Sequence, residues 1–459
     1  MSRSWRDDTT VKAAGTLAGQ QYLNGSLMFP SGDAGDEPYS ERTFIDLFAG
    51  AGCLSLGLMS SGWRGIFAVE KNAMAFETLS HNLIEGTNGP TYEWPEWFPK
   101  KPCTVGGVAG TYWQQLLRLR GKVTMIVGGP PCQGFSLAGR RNKEDARNSL
   151  FRAYMRIVEA VQPLFILLEN VHGITMEFDK KTRKKAKVGR PPEPYSQRIA
   201  RALHKAGYEV QADLLRAVDY GVPQLRPRYF LMAARRGISP SLKDNDPFKG
   251  LDALRAEFLR SKGLPVDRPV SVEEALSDLE TVNGTKQCVD SPRFMQGTYA
   301  SPTTRYQRLM RSNLDGGLPD SHRLANHRPE TVARFSKILA TCRRGVQLNK
   351  IDRERFGLKK HCTVPLDPGQ PSHTLTTLPD DFIHYSEARI LTVREYARLQ
   401  SIPDWFQFRG VYTTGGKRRA LECPRYTQAG NAVPPFVGEA IGTFFTNLHE
   451  QYLRSATPG

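Results

Sequence analysis

The sequence of 459 residues predicts an α/β fold in which a sheet of parallel strands is covered by helices on both faces. Two observations lead to this prediction. Short, almost wholly apolar runs recur between residues 43 and 234, and stretches with apolar residues at helical spacing follow several of them. Polar and glycine-rich segments stand where these runs end, which is the edge at which such sheets bind ligands.

Six strands are predicted from the apolar runs at residues 43–48, 65–70, 123–129, 164–170, 208–215 and 228–234. Between them, helical spacing predicts helices at 54–61, 73–83 and 149–162, and Pro163 ends the third. A fourth helix is expected to begin with Ser196 as N-cap and to end before Gly207. Later helices are predicted at 329–340 and 436–448, with helical and loop signals at 391–400.

The chain divides by composition into four parts. Residues 1–42 are predicted to be a mobile tail, and residues 43–236 form the α/β domain, with a basic insertion at about 178–195. The chain from Gly237 to about Tyr385 is richer in Pro, Gly and Ser, and residues 237–425 are predicted to form a second, more irregular domain together with a connecting motif. Residues 426–459 are expected to return to the first domain.

Composition also excludes several classes of protein. No run approaches the roughly 20 apolar residues of a membrane span, and the first residues lack the apolar core of a secretory signal. The seven cysteines form no CxxC pair, so neither a metal site nor a disulfide framework is predicted. We therefore expect a reducing, cytoplasmic location.

The net charge of +17 is concentrated in two segments. Residues 180–190 hold seven basic residues and no acidic one, and residues 291–360 hold fifteen basic and five acidic residues. The remainder of the chain is balanced. A local excess of positive charge favours a nucleic-acid partner; basic residues that only keep the surface soluble would be spread along the chain.

The glycine-rich segment FAGAG, at 48–52, separates the first strand from the first helix. Glycines there let a ligand approach the backbone, and Glu70 at the end of the second strand is placed to accept both hydroxyl groups of a ribose. Because Ser55 replaces the third glycine of the dinucleotide fingerprint, the segment alone fits a nucleoside site and a tight turn equally well.

Cys132 follows a third strand in the segment GGPPCQGFS, at 128–136. The two prolines stiffen the backbone and present Cys132 at the ligand edge rather than in an apolar face. A thiolate in this position can act as a nucleophile if a cationic neighbour lowers its pKa.

Glu169 ends the fourth strand after five apolar residues, and Arg226 and Arg228 precede the last strand. A carboxyl group in that place suits an acid with a raised pKa. The alternative is a carboxylate that pairs with a basic neighbour at the sheet edge. The positions of the two arginines allow them to converge on Glu169, whereas each arginine taken singly fits a surface charge.

Six motifs now stand in order between residues 43 and 442: FIDLFAGAG, GGPPCQGFS, ENV, YGVPQLRPR, LTVREYARLQSIPDWF and QAGNAVPPFVGEAIG. Together they resemble the DNA cytosine-5 methyltransferase family. The resemblance implies a Rossmann-like, S-adenosylmethionine-dependent methyltransferase sheet with a smaller, irregular target-recognition domain. The basic stretch 291–360 would then belong to the domain that binds duplex DNA.

The resemblance also implies roles for single residues. Cys132 would attack C6 of a cytosine flipped out of the duplex, Glu169 would be the acid at the base nitrogen N3, and Arg226 and Arg228 would support the base and the catalytic residues. The cofactor would be S-adenosylmethionine, with contacts from Phe48, Gly50, Gly52, Glu70, Pro130, Leu150, Asn431, Ala432 and Val433. We expect a monomer on DNA, either the partner of a restriction endonuclease or a standalone enzyme.

The chain departs from the family pattern in the cofactor site. The acidic residue that usually contacts the adenine is not evident in residues 103–113, and Lys71 follows Glu70 where the family often has an aromatic or acidic residue.

Two questions stay open on the sequence alone. An RNA cytosine methyltransferase on the same scaffold and a DNA-binding module without catalysis are the competing functions. The run 180–190 is either a flexible basic loop that touches phosphates or an element like a minor-groove AT-hook.

Overall fold

The computed structural model describes residues 22–23, 26–27, 38–130, 144–175, 194–238, 241–314, 316–360, 362–415, 418 and 421–456. Cys132, the basic run 180–190 and most of the predicted tail 1–42 lie outside the described residues.

A six-stranded sheet forms the centre of the molecule, and all six predicted strands are present. Its spatial order is β2-β1-β3-β4-β6-β5. In chain order the strands are β1 Thr43–Leu47, β2 Arg64–Val69, β3 Met125–Gly128, β4 Phe165–Asn170, β5 Tyr208–Arg216 and β6 Pro227–Arg235. Every residue of β1 and β3 is buried, which shows that the middle of the sheet is covered on both faces.

The prediction of a wholly parallel sheet is wrong for its last strand. Strands β1 to β4 are parallel to one another, but β6 pairs antiparallel with both β4 and β5. The reason is the short connection from β5 to β6, which contains the 3₁₀ turn Ala217–Tyr220 and no crossover helix. A parallel pair would need a longer crossover.

Fourteen α-helices are seen in the described part of the chain. They are α1 Cys53–Ser60, α2 Ala73–Leu83, α3 Val105–Thr111, α4 Trp113–Arg118, α5 Glu144–Val161, α6 Tyr195–Lys205, α7 Pro247–Ser261, α8 Val272–Leu276, α9 Arg305–Met310, α10 Pro329–Thr341, α11 Lys350–Arg355, α12 Val393–Arg398, α13 Arg425–Asn431 and α14 Pro435–Ala456.

Helix α5 ends just before Pro163, as predicted, whereas the predicted N-cap of α6 is wrong. Pro194 occupies the N-cap position, and Ser196 lies inside the helix, where its buried side chain forms a hydrogen bond with the Tyr229 side chain. A serine that pairs with a neighbouring strand is not available to cap its own helix.

The two turns that follow β1 and β2 are fixed by local chemistry. Gly52 has φ +89° at the N-cap of α1, and a Cβ atom there would lie 2.6 Å from Leu83 Cδ1. Asn72 caps α2 by accepting hydrogen bonds from the amides of Met74 and Ala75.

The residues after β6 pack on the sheet through one extended apolar core, to which α7, α8, α12 and α14 all contribute. A buried ion network strengthens this region, because the Arg398 guanidinium binds both Asp278 and Asp404. A second, smaller apolar cluster consists of Phe335, Ile338, Leu348, Ile383 and Ile390.

Among the helices that the structure describes, none combines the length and the apolar character needed to cross a bilayer.

Candidate active site

A cavity of about 650 Å³ opens at the carboxyl edge of strands β1 to β4. Because β6 runs antiparallel to β4, its beginning meets the same edge and brings two arginines to it. The cavity contains most of the residues that the sequence predicts for the site: Phe48, Gly50, Glu70, Pro130, Leu150, Glu169, Arg226, Arg228, Asn431, Ala432 and Val433.

Two of the predicted site residues are not among those that line the cavity. Gly52 is not among the lining residues, and its positive φ and its close approach to Leu83 explain why a glycine stands there. Cys132 lies outside the described residues, two positions after Pro130, which does line the cavity.

Glu70 organises the glycine-rich turn. Its Oε2 atom accepts a hydrogen bond from the Gly50 amide at 2.9 Å, and its Oε1 atom accepts one from the Asn72 amide at 2.6 Å. Each carboxylate oxygen keeps a further lone pair for a ligand. At Gly50, φ is +58° and no atom lies within 4 Å of an ideal Cβ position, so the backbone is open to a bound group there.

Sequence reasoning missed a buried polar chain behind this turn. The Tyr92 hydroxyl donates to Ser55 Oγ at 2.6 Å, and Ser55 Oγ donates in turn to Asp46 Oδ2, in the wall of the cavity. Burial raises the pKa of Asp46 to about 7; the bond from Ser55 opposes this, and the charge of Glu70 adds to it. The one available signal was an aspartate inside the apolar run FIDLF.

Glu169 and the two arginines converge as predicted. Arg228 Nε lies 3.2 Å from Glu169 Oε1, and both side chains are 15% exposed. Burial raises the pKa of Glu169, and the positive charges of Arg228 and Arg226 act against that rise. The carboxyl group is therefore desolvated yet paired.

Arg226 is 1% exposed and lies deeper than Arg228. Its Nη1 atom donates to the Leu375 carbonyl at 3.4 Å, while its Nε atom is buried without a hydrogen-bond partner in the described part of the chain. Burial lowers the pKa of this guanidinium, and the neighbouring charge of Arg228 lowers it further.

The segment that leads to Cys132 is held against β4. Asn170, the second residue of the ENV motif, donates from Nδ2 to the Pro130 carbonyl at 3.0 Å. A Cβ atom on Gly129 would lie 3.3 Å from Glu169 Oε2, so this position needs a glycine or a small shift of Glu169. The hydrogen bond from Asn170 holds the backbone two residues before the predicted nucleophile.

The far end of the cavity is formed by residues that sequence reasoning did not assign. This end is lined by Lys71, Cys103, Thr104, Val105 and Cys423. The Cys103 amide donates to the Glu70 carbonyl at 2.8 Å. Burial, together with the charge of Glu70, raises the pKa of Cys103 to about 11 and that of Cys423 to about 12. None of these residues is acidic, in agreement with the departure noted in the sequence.

A comparison with protein families decides the identity of this arrangement. The model of the C-5 cytosine-specific DNA methylases matches residues 42–446. The chain belongs to this family.

Similar proteins agree with the assignment. The chain is 30% identical over 425 residues to the Type II methyltransferase M.DdeI of Desulfomicrobium norvegicum, covering 88% of this chain and 89% of that protein. It is 29% identical to M.XorII of Xanthomonas oryzae, covering 87% and 83% respectively.

A solved prophage-encoded structure from E. coli, described as a candidate DNA modification methyltransferase, covers 89% of this chain and 99% of its own. It has a TM-score of 0.58 at 24% identity, which supports the fold. The predictions of an S-adenosylmethionine-dependent fold and of DNA (cytosine-5)-methyltransferase activity are confirmed.

The first prediction concerns Glu70. In Glu70→Gln, an NH₂ group replaces one acceptor oxygen, so the amide of Gly50 or of Asn72 loses its partner. We expect the affinity for S-adenosylhomocysteine to fall about 10- to 100-fold in calorimetric titration. Glu77→Gln, on the exposed face of α2, is the matched control and should bind like wild type. Equal affinities for the two variants would contradict the role given to Glu70.

The second prediction concerns Asp46. Between pH 4 and pH 7 the folded state keeps a proton on Asp46 that the unfolded state has lost, so the free energy of unfolding from this group falls as pH rises. Asp46→Asn cannot ionise and keeps an acceptor for Ser55. The free energy of unfolding of the variant minus that of wild type is measured by urea unfolding at the two pH values. This difference should be about 1–3 kcal/mol more favourable to the variant at pH 8 than at pH 5.

Asp252→Asn, on a largely exposed side chain of α7, serves as the control for Asp46→Asn. If Asp46→Asn differs from wild type by the same free energy of unfolding at both pH values, Asp46 ionises in the folded protein as it does in water. That result would contradict the prediction.

Proposed function

We propose that the enzyme methylates C5 of a cytosine in duplex DNA through a transient covalent bond between Cys132 Sγ and C6 of a base that is rotated out of the helix. One observation carries this proposal. The buried carboxyl group of Glu169, flanked by Arg226 and Arg228, lies in the same cavity as Glu70 and the segment 431–433.

The residues present fit S-adenosylmethionine. The volume of about 650 Å³ is in the range of small-molecule sites, Glu70 offers two acceptors to ribose hydroxyl groups, and Gly50 leaves open space beside the backbone. We assign Phe48, Pro130, Leu150 and residues 431–433 to its surroundings, with Gly52 shaping the turn behind them. When bound, the cofactor supplies an electrophilic methyl group on a sulfonium.

The base requires activation, because C5 of cytosine is a weak nucleophile. Addition of the Cys132 thiolate to C6 forms an S–C bond, and Glu169 gives a proton or a hydrogen bond to N3. The electron pair then makes C5 enamine-like, and C5 takes the methyl group, which would leave the donor sulfur as a neutral thioether. Loss of the C5 proton to solvent, return of any N3 proton to Glu169 and breakage of the S–C bond restore the aromatic ring and release the Cys132 thiolate.

The environment of Glu169 supports its role as acid. A desolvated carboxyl group with a raised pKa keeps a proton more readily than one in water, and Arg228 stabilises the carboxylate left after transfer. The buried Nε atom of Arg226 has no hydrogen-bond partner among the described residues, and we propose that it faces the base or the segment that carries Cys132.

We propose the same division of the chain as the sequence suggests. The return of residues 426–459 to the catalytic domain 43–236 is supported by helix α14, which packs so tightly on α1 that a Cβ atom on Gly57 would lie 2.3 Å from the Pro435 carbonyl oxygen. Residues 237–425 would hold the target-recognition region.

The relatives M.DdeI and M.XorII are named as Type II methyltransferases. We therefore propose that this enzyme is a modification methyltransferase that acts as a monomer on DNA in the cytoplasm, paired with a restriction endonuclease or acting alone. A pairing predicts that DNA methylated by the enzyme resists one specific endonuclease.

The third prediction tests the chemistry by transfer of a tritiated methyl group from the cofactor to unmethylated duplex DNA. Wild type should label duplex DNA and not tRNA, and Cys132→Ser should be inactive because a neutral hydroxyl replaces the thiolate. Glu169→Gln can donate a hydrogen bond but no proton, so kcat should fall about 10²- to 10⁴-fold.

Binding of S-adenosylhomocysteine should stay close to wild type in both variants, which shows that the fold is intact. Methylation at the wild-type rate by Cys132→Ser would overturn the covalent mechanism. Labelling of tRNA alone would indicate an RNA methyltransferase, and DNA binding without any transfer would indicate a binding module.

A further inference from the structure

The order of the strands sets the direction in which a ligand lies along the cavity. Glu70 follows β2, the strand at one margin of the sheet, whereas Glu169 lies in β4, with β1 and β3 between the two. The proposed methyl transfer takes place near Glu169. A cofactor whose ribose is held at Glu70 therefore has its adenine beyond Glu70, at the far end of the cavity.

The carboxyl groups of the cavity are engaged elsewhere. Among the described residues that line it, they belong to Asp46, Glu70 and Glu169. Asp46 accepts a hydrogen bond from Ser55, Glu70 accepts from two backbone amides, and Glu169 pairs with Arg228. In the part of the chain that the structure describes, the far end thus has no charged acceptor for the 6-amino group of an adenine.

Thr104 and Lys71 stand at the rim of the far end, where both side chains are exposed. Thr104 Oγ1 accepts from the Gly107 amide and the Thr104 carbonyl accepts from the Val108 amide, each at 3.0 Å, so both oxygens serve helix α3. The ammonium group of Lys71 can only donate. The rim therefore offers space for a substituent on the adenine rather than a partner for its amine.

The thiols of Cys103 and Cys423 form the wall behind this rim. The backbone oxygens beside them already accept hydrogen bonds, because the Glu70 carbonyl binds the Cys103 amide and the Cys423 carbonyl binds Gln428 Nε2 at 2.9 Å. Since burial raises the pKa of both thiols, they stay neutral at pH 7. A neutral thiol is a weak acceptor, but its polarisable sulfur packs well against an aromatic ring.

We infer that the far end binds the adenine by packing against Cys103 and Cys423 and does not recognise its 6-amino group, an inference that rests on the proposed cofactor site. Alkyl groups on that nitrogen break no hydrogen bond and extend past the exposed rim at Thr104 and Lys71. The enzyme therefore accepts cofactor analogues with a substituted N6 atom, which a site built to bind the amine rejects.

The fourth prediction compares S-adenosylhomocysteine with its N6,N6-dimethyl analogue, in which methyl groups replace both N–H donors of the amine. In calorimetric titration of wild type, the two dissociation constants should agree within about threefold. A site that used the amine as a donor would bind the analogue about tenfold or more weakly. A loss of that size in wild type would overturn the inference.

Cys103→Asp tests where the amine lies. The new carboxylate is a strong acceptor, so this variant should prefer S-adenosylhomocysteine to the dimethyl analogue by about tenfold or more. Gln114→Asp adds the same charge on an exposed side chain of α4, outside the lining of the cavity, and should bind both ligands alike. Equal binding of the two ligands by Cys103→Asp would contradict the placement of the adenine beside Cys103.

Cys103→Ala tests whether the thiol itself binds the amine. We expect this variant to keep the wild-type ratio of the two dissociation constants. Weaker binding of S-adenosylhomocysteine alone would show a hydrogen bond from the amine to the sulfur and would overturn the inference. Thermal unfolding shows whether each variant folds, and if Cys103→Asp does not, wild type and Cys103→Ala still decide.

The wild-type titrations separate this inference from the proposed function. Binding of S-adenosylhomocysteine together with rejection of the dimethyl analogue would refute the inference and leave the cofactor site intact. Binding of neither ligand would refute the cofactor site and the inference with it. Neither result depends on methyl transfer to DNA, which the third prediction measures.

Discussion

A carboxyl group buried at the end of an apolar strand must be paired with a cation, and in this enzyme the direction of a whole strand meets that requirement. Strand β6 runs antiparallel to β4, with Glu169 opposite Phe230 and Asn170 opposite Tyr229. Arg228 at the start of β6 and Arg226 just before it therefore lie at the edge where β4 ends. In a wholly parallel sheet the start of β6 would lie at the opposite edge, and Glu169 would be left without these arginines.

The same two arginines, together with Gln224, also connect the sheet with the residues that follow it in the chain. Arg226 and Gln224 bond to the segment that contains Leu375, and His373 of that segment donates to the Gly345 carbonyl. The arginines of the cavity and the residues that follow the sheet thus share one set of contacts. Glu70 has a comparable role at the other end of the cavity, because it orders the turn that the cofactor is proposed to occupy.

The six strands and most residues of the cavity could be predicted from the sequence, because apolar runs mark the strands and the polar motifs stand at their ends. The direction of β6 could not be predicted, since it depends on how the short connection 217–226 folds against its neighbours. The hydrogen bonds from Tyr92 to Ser55 and from Ser55 to Asp46 join residues 37 and 9 positions apart in sequence, on separate elements. Likewise, the charge of 291–360 could be counted, but only contacts such as that of Arg323 between two rings separate structural cations from exposed ones.

The central claim is that Cys132 bonds covalently to a base activated by Glu169. Incubation of the enzyme and S-adenosylmethionine with a duplex that contains 5-fluorocytosine tests it directly, because fluorine at C5 cannot leave as a proton does and the adduct persists. We predict a stable protein–DNA complex whose mass spectrum locates the bond at Cys132 in wild type, and no complex with Cys132→Ser. A wild-type enzyme that methylates normal DNA yet forms no adduct, or forms it at another residue, would contradict the mechanism.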